Sequence, residues 1–160
     1  MSKLKDEVDL LRSIPMLATL PANKLKLLAF ASDRVCYNDG DTLFHQGDDA
    51  DAAYIVISGY ADVLVSTDEN SEPTAVAQLG PNSVIGDMAI LCNIPRTATI
   101  RCCEQLDALK IHKDHMLDMM KESPTLALAV LKEIVQRLAK TTQDLSEARE
   151  EVARLQAGSV

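Results

Sequence analysis

Gly86-Asp87 opens a short apolar run, Met88-Ala89-Ile90-Leu91, and Arg96 follows ten residues after the glycine, directly behind Pro95. A glycine ahead of a helical turn presents unpaired backbone N–H groups and the positive end of a helix dipole, an arrangement that suits an anion. Arg96 can fold back over the same anion with its planar fork of donors. Asp87 is then expected to face an uncharged group such as a sugar hydroxyl, because a carboxylate beside a phosphate is repelled. An anion cradle with a hydroxyl acceptor at its lip is a nucleotide-sized site.

The elements that must position this cradle follow from the periodicity. Residues Asp6 to Ala31 read as helix, turn, helix, with Val8, Leu10, Leu11 and Ile14 on one face, Pro15 as a break, and Leu25, Leu27, Leu28 and Phe30 after Leu20-Pro21. This segment is expected to act as a helical lid. From Asp33 to Ile111 the pattern changes to short strands between turns such as Asn38-Asp39-Gly40, Gly47-Asp48 and Gly80-Pro81-Asn82. Ala61-Asp62-Val63-Leu64-Val65 alternates cleanly, and Thr67 to Glu72 reads as a polar hairpin tip. About eight strands at this spacing predict an α+β protein built on an eight-stranded β-roll, of the double-stranded β-helix or jelly-roll kind. After Lys113 a short helix runs to Lys121, and Ser123-Pro124 precedes a long helix to about Gln156. Its apolar positions fall in two rows, Leu131, Leu138, Leu145 and Val152 beside Ala127, Ile134, Thr141, Ala148 and Leu155. Such rows predict a coiled coil, most simply a parallel homodimer, on a helix of about 50 Å. The expected segments are 1–32 (helical), 33–112 (roll) and 113–160 (short helix and dimerisation helix).

Composition bounds the function. A chain of 160 residues is one domain's length, and with 47% hydrophobic and 25% charged residues it has the makeup of a globular protein. Its net charge of −8 is the wrong sign for a phosphate-backbone binder, so no direct nucleic-acid contact is expected. Aromatic residues are only 3%, with no Trp, which disfavours ring stacking as the mode of ligand contact. No apolar run reaches membrane-span length, and no signal peptide opens the chain. The four cysteines, Cys36, Cys92, Cys102 and Cys103, fit no zinc spacing and read as reduced thiols of a cytoplasmic protein. His112-x-x-His115 straddles a strand end and a helix start, so no metal site is expected there. Met116, Met119 and Met120 read as packing between the short and long helices.

Taken together, the chain resembles the cyclic nucleotide-binding domain family over about residues 10 to 156, and within it the bacterial cyclic AMP receptor (catabolite activator) class. Leu43-Phe44-His45-Gln46-Gly47-Asp48 through Tyr54-Ile55-Val56-Ile57-Ser58-Gly59 resembles the family's roll signature. Gly86 to Ile100 resembles its phosphate-binding cassette, which reads Gly-Glu-x-Ala-Leu and then Pro-Arg-x-Ala. The resemblance implies that Arg96 binds the cyclic phosphate together with backbone N–H groups near Met88, Ala89, Thr97 and Ala98. It also implies that Gly86 admits the ligand closely and that Asp87 takes the ribose 2′-hydroxyl. Asp87 stands where the family has Glu and reaches about 1.3 Å less. Losing that charge-assisted bond would cost about 1.5–3 kcal/mol. Thr97 resembles the hydroxyl position that favours guanine in cyclic GMP-responsive relatives. Thr141 and Thr142 resemble the hydroxyl pair that meets the adenine amino group, in part from a second subunit. Cyclic AMP is therefore favoured over cyclic GMP.

The implied function is a non-enzymatic, allosteric sensor that binds a cyclic nucleotide, dimerises through its last helix and signals to a protein partner that the sequence does not name. Two bland readings stand beside it: a fold that assembles without ligand, and the effector half of a transcription regulator without its DNA-binding part. An enzyme of the metal-dependent cupin kind would need a cluster of His and Glu ligands that three scattered histidines cannot supply.

Overall fold

The computed structural model describes residues 2–68 and 70–158; Met1, Glu69, Ser159 and Val160 lie outside the described residues, and with them part of the hairpin tip read over 67–72 and the extreme ends of the first and last segments. Helix α1 (Ser2–Arg12) sets Leu4, Val8 and Leu11 on one face at helical spacing. Pro15 then opens a 3₁₀ turn (Pro15–Leu17), and α2 (Ala22–Ala31) begins directly after Pro21. Only half of the expected α2 face is inside: Leu25 and Leu28 are buried, while Leu27 and Phe30 are exposed.

The described residues then form β1 (Ser32–Tyr37), β2 (Thr42–Phe44), β3 (Ala52–Ser58), β4 (Ala61–Val65), β5 (Thr74–Leu79), β6 (Val84–Ile85), β7 (Thr99–Cys102) and β8 (Leu106–His112), with α3 (Asp87–Cys92) between β6 and β7. They pair antiparallel in two sheets, ordered β1-β8-β3-β6 and β2-β7-β4-β5. β6 is only two residues long, too short for any alternation to announce it.

The strand period of two explains why β3 and β8 are apolar along nearly their whole length. Tyr54, Val56, Leu106 and Ala108 face inward between the sheets, with Ile100 and Cys102 opposite. Ala53, Ile55, Leu109 and Ile111 face the other way and meet the helices. The N-terminal helices therefore pack on the back of one sheet, and the lid expectation is corrected: among the described residues, α1 and α2 supply none of the walls of the cavity described below.

His112 caps α4 (Lys113–Glu122), its Nδ1 accepting the Asp114 N–H at 3.4 Å. Ser123 caps α5 (Pro124–Ala157), its hydroxyl accepting the Leu126 N–H at 3.3 Å with Pro124 in the first turn. Leu126 and Val130 on α5 are buried against Met116 and Met119, and Ile134 packs partly on the same core. Beyond that Arg137 still bonds to the roll, and residues 138–158 are all exposed.

The exposed apolar row of α5 is Leu128, Leu131, Val135, Leu138, Leu145 and Val152. Its alternating spacing of three and four continues through Thr142 and Arg149. Of the second row expected from sequence, Ile134 packs partly against the protein's own core while Thr141, Ala148 and Leu155 are exposed, as are Leu128, Val135, Thr142 and Arg149 on the other side of Leu131 and Leu138.

Candidate functional site

Gly86 caps α3 with φ of +83°, in the left-handed region that glycine enters at no steric cost. A Cβ there would also run into Nη1 of Arg96. Asp87 is thus the first residue of α3 rather than its cap, and its carboxylate is free for another task.

Arg96 lies in the loop before β7 rather than on the strand itself. Two reciprocal backbone bonds hold it: its N–H donates to Asp48 O at 2.8 Å, and its C=O accepts from the Gly47 N–H at 2.8 Å. The Gly47-Asp48 turn therefore fixes the arginine. The side chain runs inward and is 3% exposed. Nη1 donates to Gly86 O at 3.0 Å and Nη2 to Ala52 O at 2.6 Å, while Asp51 Oδ1 stands 3.6 Å from Nη2. The Phe44 ring lies 3.9 Å from Cζ, so the molecule's scarce aromatic residues do serve the site, by stacking on the arginine. Burial lowers the guanidinium's pKa from its usual value, and Tyr54, Asp51 and Asp48 oppose that shift. Nε is buried with no partner, the one such side-chain nitrogen or oxygen among the described residues. A buried donor of a cation left unsatisfied is costly, and an anion is the group that would satisfy it.

Asp87 is 1% exposed and faces a cation. Arg137 of α5 grips it as a fork, Nη1 to Oδ1 at 3.2 Å and Nη2 to Oδ2 at 3.4 Å. The carboxylate thus has a charged partner that the sequence reading did not include, an arginine on a helix fifty residues away. The physical reason is that a carboxylate so deeply buried needs an opposite charge. Arg137 Nη2 also donates to Val84 O at 3.4 Å and stands 3.8 Å from Glu133 Oε1. Glu133 accepts the Val84 N–H. Its carboxyl is raised above its ordinary value by burial, with Arg137 and the Val84 bond opposing and Asp87 adding to the rise.

These groups surround a cavity of about 470 Å³. Gly86, Asp87, Met88, Ala89, Arg96, Thr97 and Ala98 all line it, as does Thr141. Val63, Val76, Leu79 and Ile100 of the roll make its apolar walls, and Arg137, Asp144 and Leu145 complete the α5 side. Thr142, one residue further round the helix, does not line it and is exposed. Thr141 donates its hydroxyl proton to Arg137 O at 2.9 Å, so only its oxygen lone pairs remain to face a ligand. Sequence reasoning missed Arg137 and Asp144 as wall residues. Their signal was the one-turn and near-one-turn spacing about Thr141, legible only once the face of α5 toward the roll is known. Among the described residues no group of His, Cys, Asp or Glu could hold a metal ion, and no helix is long and apolar enough to cross a membrane.

The roll, the glycine-capped turn and the buried arginine define a class. The chain belongs to the cyclic nucleotide-binding domain family, whose profile matches residues 34–123, more than half of its length. The cAMP-dependent protein kinase regulatory subunit of Blastocladiella emersonii is 34% identical over 134 residues, covering 84% of this chain and 30% of that protein. The sensor domain of the transcriptional regulator DNR from Pseudomonas aeruginosa superposes with a TM-score of 0.76 at 22% identity, covering 89% of this chain and 95% of that one. The catabolite activator protein of Thermus thermophilus superposes with a TM-score of 0.71 at 25% identity, over 82% and 62% of the two chains. These likenesses share the mixed helical and antiparallel-sheet fold with a long C-terminal helix. The chain spans less than a third of the length of the curated relatives it matches.

Proposed function

We propose that this chain is a regulatory sensor that binds a cyclic nucleotide, with cyclic AMP favoured over cyclic GMP. The observation that carries the reading is Arg96: a guanidinium 3% exposed, lining the cavity, with Nε unpartnered. The cyclic phosphate is the anion that spends this donor, together with backbone N–H groups near Met88, Ala89, Thr97 and Ala98. Asp87 takes the ribose hydroxyl, Gly86 lets the ligand approach, and the aliphatic walls hold the base. Thr141 and Asp144 offer acceptors to an exocyclic amino group, which supports adenine. Thr97 supports guanine more weakly, because it is exposed at the cavity's edge.

The output is mechanical. Asp87 and Arg137 join the cassette to α5, so a ligand that alters this pair shifts the helix between two arrangements. The seam of α5 pairs with a second copy of the chain, and Thr142 of that copy is the second hydroxyl near the base. The chain acts by binding rather than by catalysis, in the cytoplasm with reduced cysteines, and passes its signal to a protein partner.

Isothermal titration with cyclic AMP and cyclic GMP, on the natural protein and on Arg96→Ala, tests this. Micromolar or tighter binding of at least one nucleotide is expected, with a loss of at least about tenfold in the variant. Absence of heat with both nucleotides favours the second reading, an assembly module that uses no ligand. One observation supports that reading: Arg137 already occupies the Asp87 carboxylate.

A further inference from the structure

Asp87 lines the cavity and yet is only 1% exposed, and Arg137, itself a third exposed and in the same cavity wall, engages both carboxylate oxygens. A sugar hydroxyl can reach Asp87 only if that guanidinium lifts away. A lifted guanidinium in a half-buried site needs another acceptor, and one is already in place. Glu133 Oε1 lies 3.8 Å from Arg137 Nη2, one helical turn back on α5. The Val84 backbone also favours the ionised Glu133 carboxylate, which keeps it an acceptor for a cation. The Val84 carbonyl at 3.4 Å from the same Nη2 supplies a second stepping point on the path. Two carboxylates thus share one arginine, and only one of them opens onto the ligand's position: Glu133 is outside the cavity wall that Asp87, Arg137 and Thr141 form.

We propose that Glu133 is a positioning residue that receives Arg137 when a ligand hydroxyl takes Asp87. It lowers the cost of uncovering Asp87, and thereby sets how strongly the site prefers a ribose over a 2′-deoxyribose. This rests on the cyclic-nucleotide reading above and deepens it. A 2′-deoxy ligand has no hydroxyl for Asp87, leaves Arg137 where it is, and is indifferent to Glu133.

The test is titration of the tighter-binding cyclic nucleotide and its 2′-deoxy analogue into the natural protein, Glu133→Gln, Arg137→Gln and the double variant. Glu133→Gln is expected to weaken the ribonucleotide about threefold to tenfold while changing the 2′-deoxy analogue less than about twofold. In the Arg137→Gln background, Glu133→Gln is expected to leave the ratio of the two affinities unchanged. An unchanged ratio in Glu133→Gln, or the same change with and without Arg137, overturns the handover. Should circular dichroism show Glu133→Gln unfolded, Glu133→Asp is the second variant. It keeps the charge but draws it back from the guanidinium, and the same direction of effect is required of it. If the natural protein binds neither nucleotide, the functional reading and this inference fall together; if it binds normally and only the ratio is flat, this inference falls alone.

Discussion

At the scale of single residues the site is organised by two arginines that find opposite kinds of partner. Arg96 is held by carbonyls, those of Gly86 and Ala52, and keeps one donor unspent. Arg137 is held by carboxylates, and its charge is matched. The first is therefore poised for an anion and the second for exchange. Gly86 is where the first arrangement is most easily broken, since any side chain there both strains a left-handed backbone and displaces Arg96 Nη1. Gly86→Ala is expected to cost about 1–3 kcal/mol of stability, read by urea denaturation. It should also weaken nucleotide binding at least about tenfold by calorimetry, and affinity retained within twofold would show that Arg96 need not sit as it does. This cassette was legible in the sequence because glycine, proline and arginine at fixed spacing each have a local reason to be there. Arg137 was not, because nothing local marks it: on α5 it stands among Lys132 and Lys140, and only the fold brings it to Asp87.

At the scale of elements, α5 carries three faces at once. Leu126 and Val130 bind it to the core, Arg137 and Thr141 turn it to the cavity, and Leu131 and Leu138 leave it open to a partner. The heptad rows in the sequence could not separate these faces. Leu131, Leu138, Leu145 and Val152 fit a seam with either neighbouring row, and the choice depends on which side the roll has already claimed. Because Leu131 and Leu138 are 53% and 64% exposed, replacing both with Asp should leave the single chain folded. Light scattering at micromolar concentration is expected to give a dimer for the natural protein and a monomer for Leu131→Asp/Leu138→Asp. A monomer in both would remove the seam's role. Glu133 adds a pH signature to the same helix. Burial raises its folded pKa above the ordinary value near 4.5, so the native state favours the protonated form. That contribution to stability is present below about pH 4.5 and lost as pH rises through the raised folded value. Glu133→Gln stands in for the neutral acid, so its melting temperature minus that of the natural protein should grow from pH 4 to pH 7. A constant difference would mean that Glu133 is not strained by its burial.

At the scale of the whole molecule the run of short strands was readable from period-two runs and turn residues, whereas their order in the two sheets was not. The two faces of β3 and β8 follow from that period. The helices' place on the back of one sheet was not readable, since an apolar helical face does not say which sheet it meets. A ligand that binds only the native fold, at one hundred times its dissociation constant, should stabilise it by about 2.7 kcal/mol. How that stabilisation is divided between rates follows from the backbone bonds that join Arg96 to Gly47 and Asp48. Partners almost fifty residues apart in the chain can meet only after the roll between them has closed. The binding site is therefore expected to form after the local turns and hairpins, and nucleotide is not expected to guide those earlier steps. Refolding followed by circular dichroism should proceed at the same rate with or without saturating nucleotide, while unfolding slows by nearly the full stabilisation, about a hundredfold. The nucleotide would thus lengthen the life of a finished fold without hastening its birth.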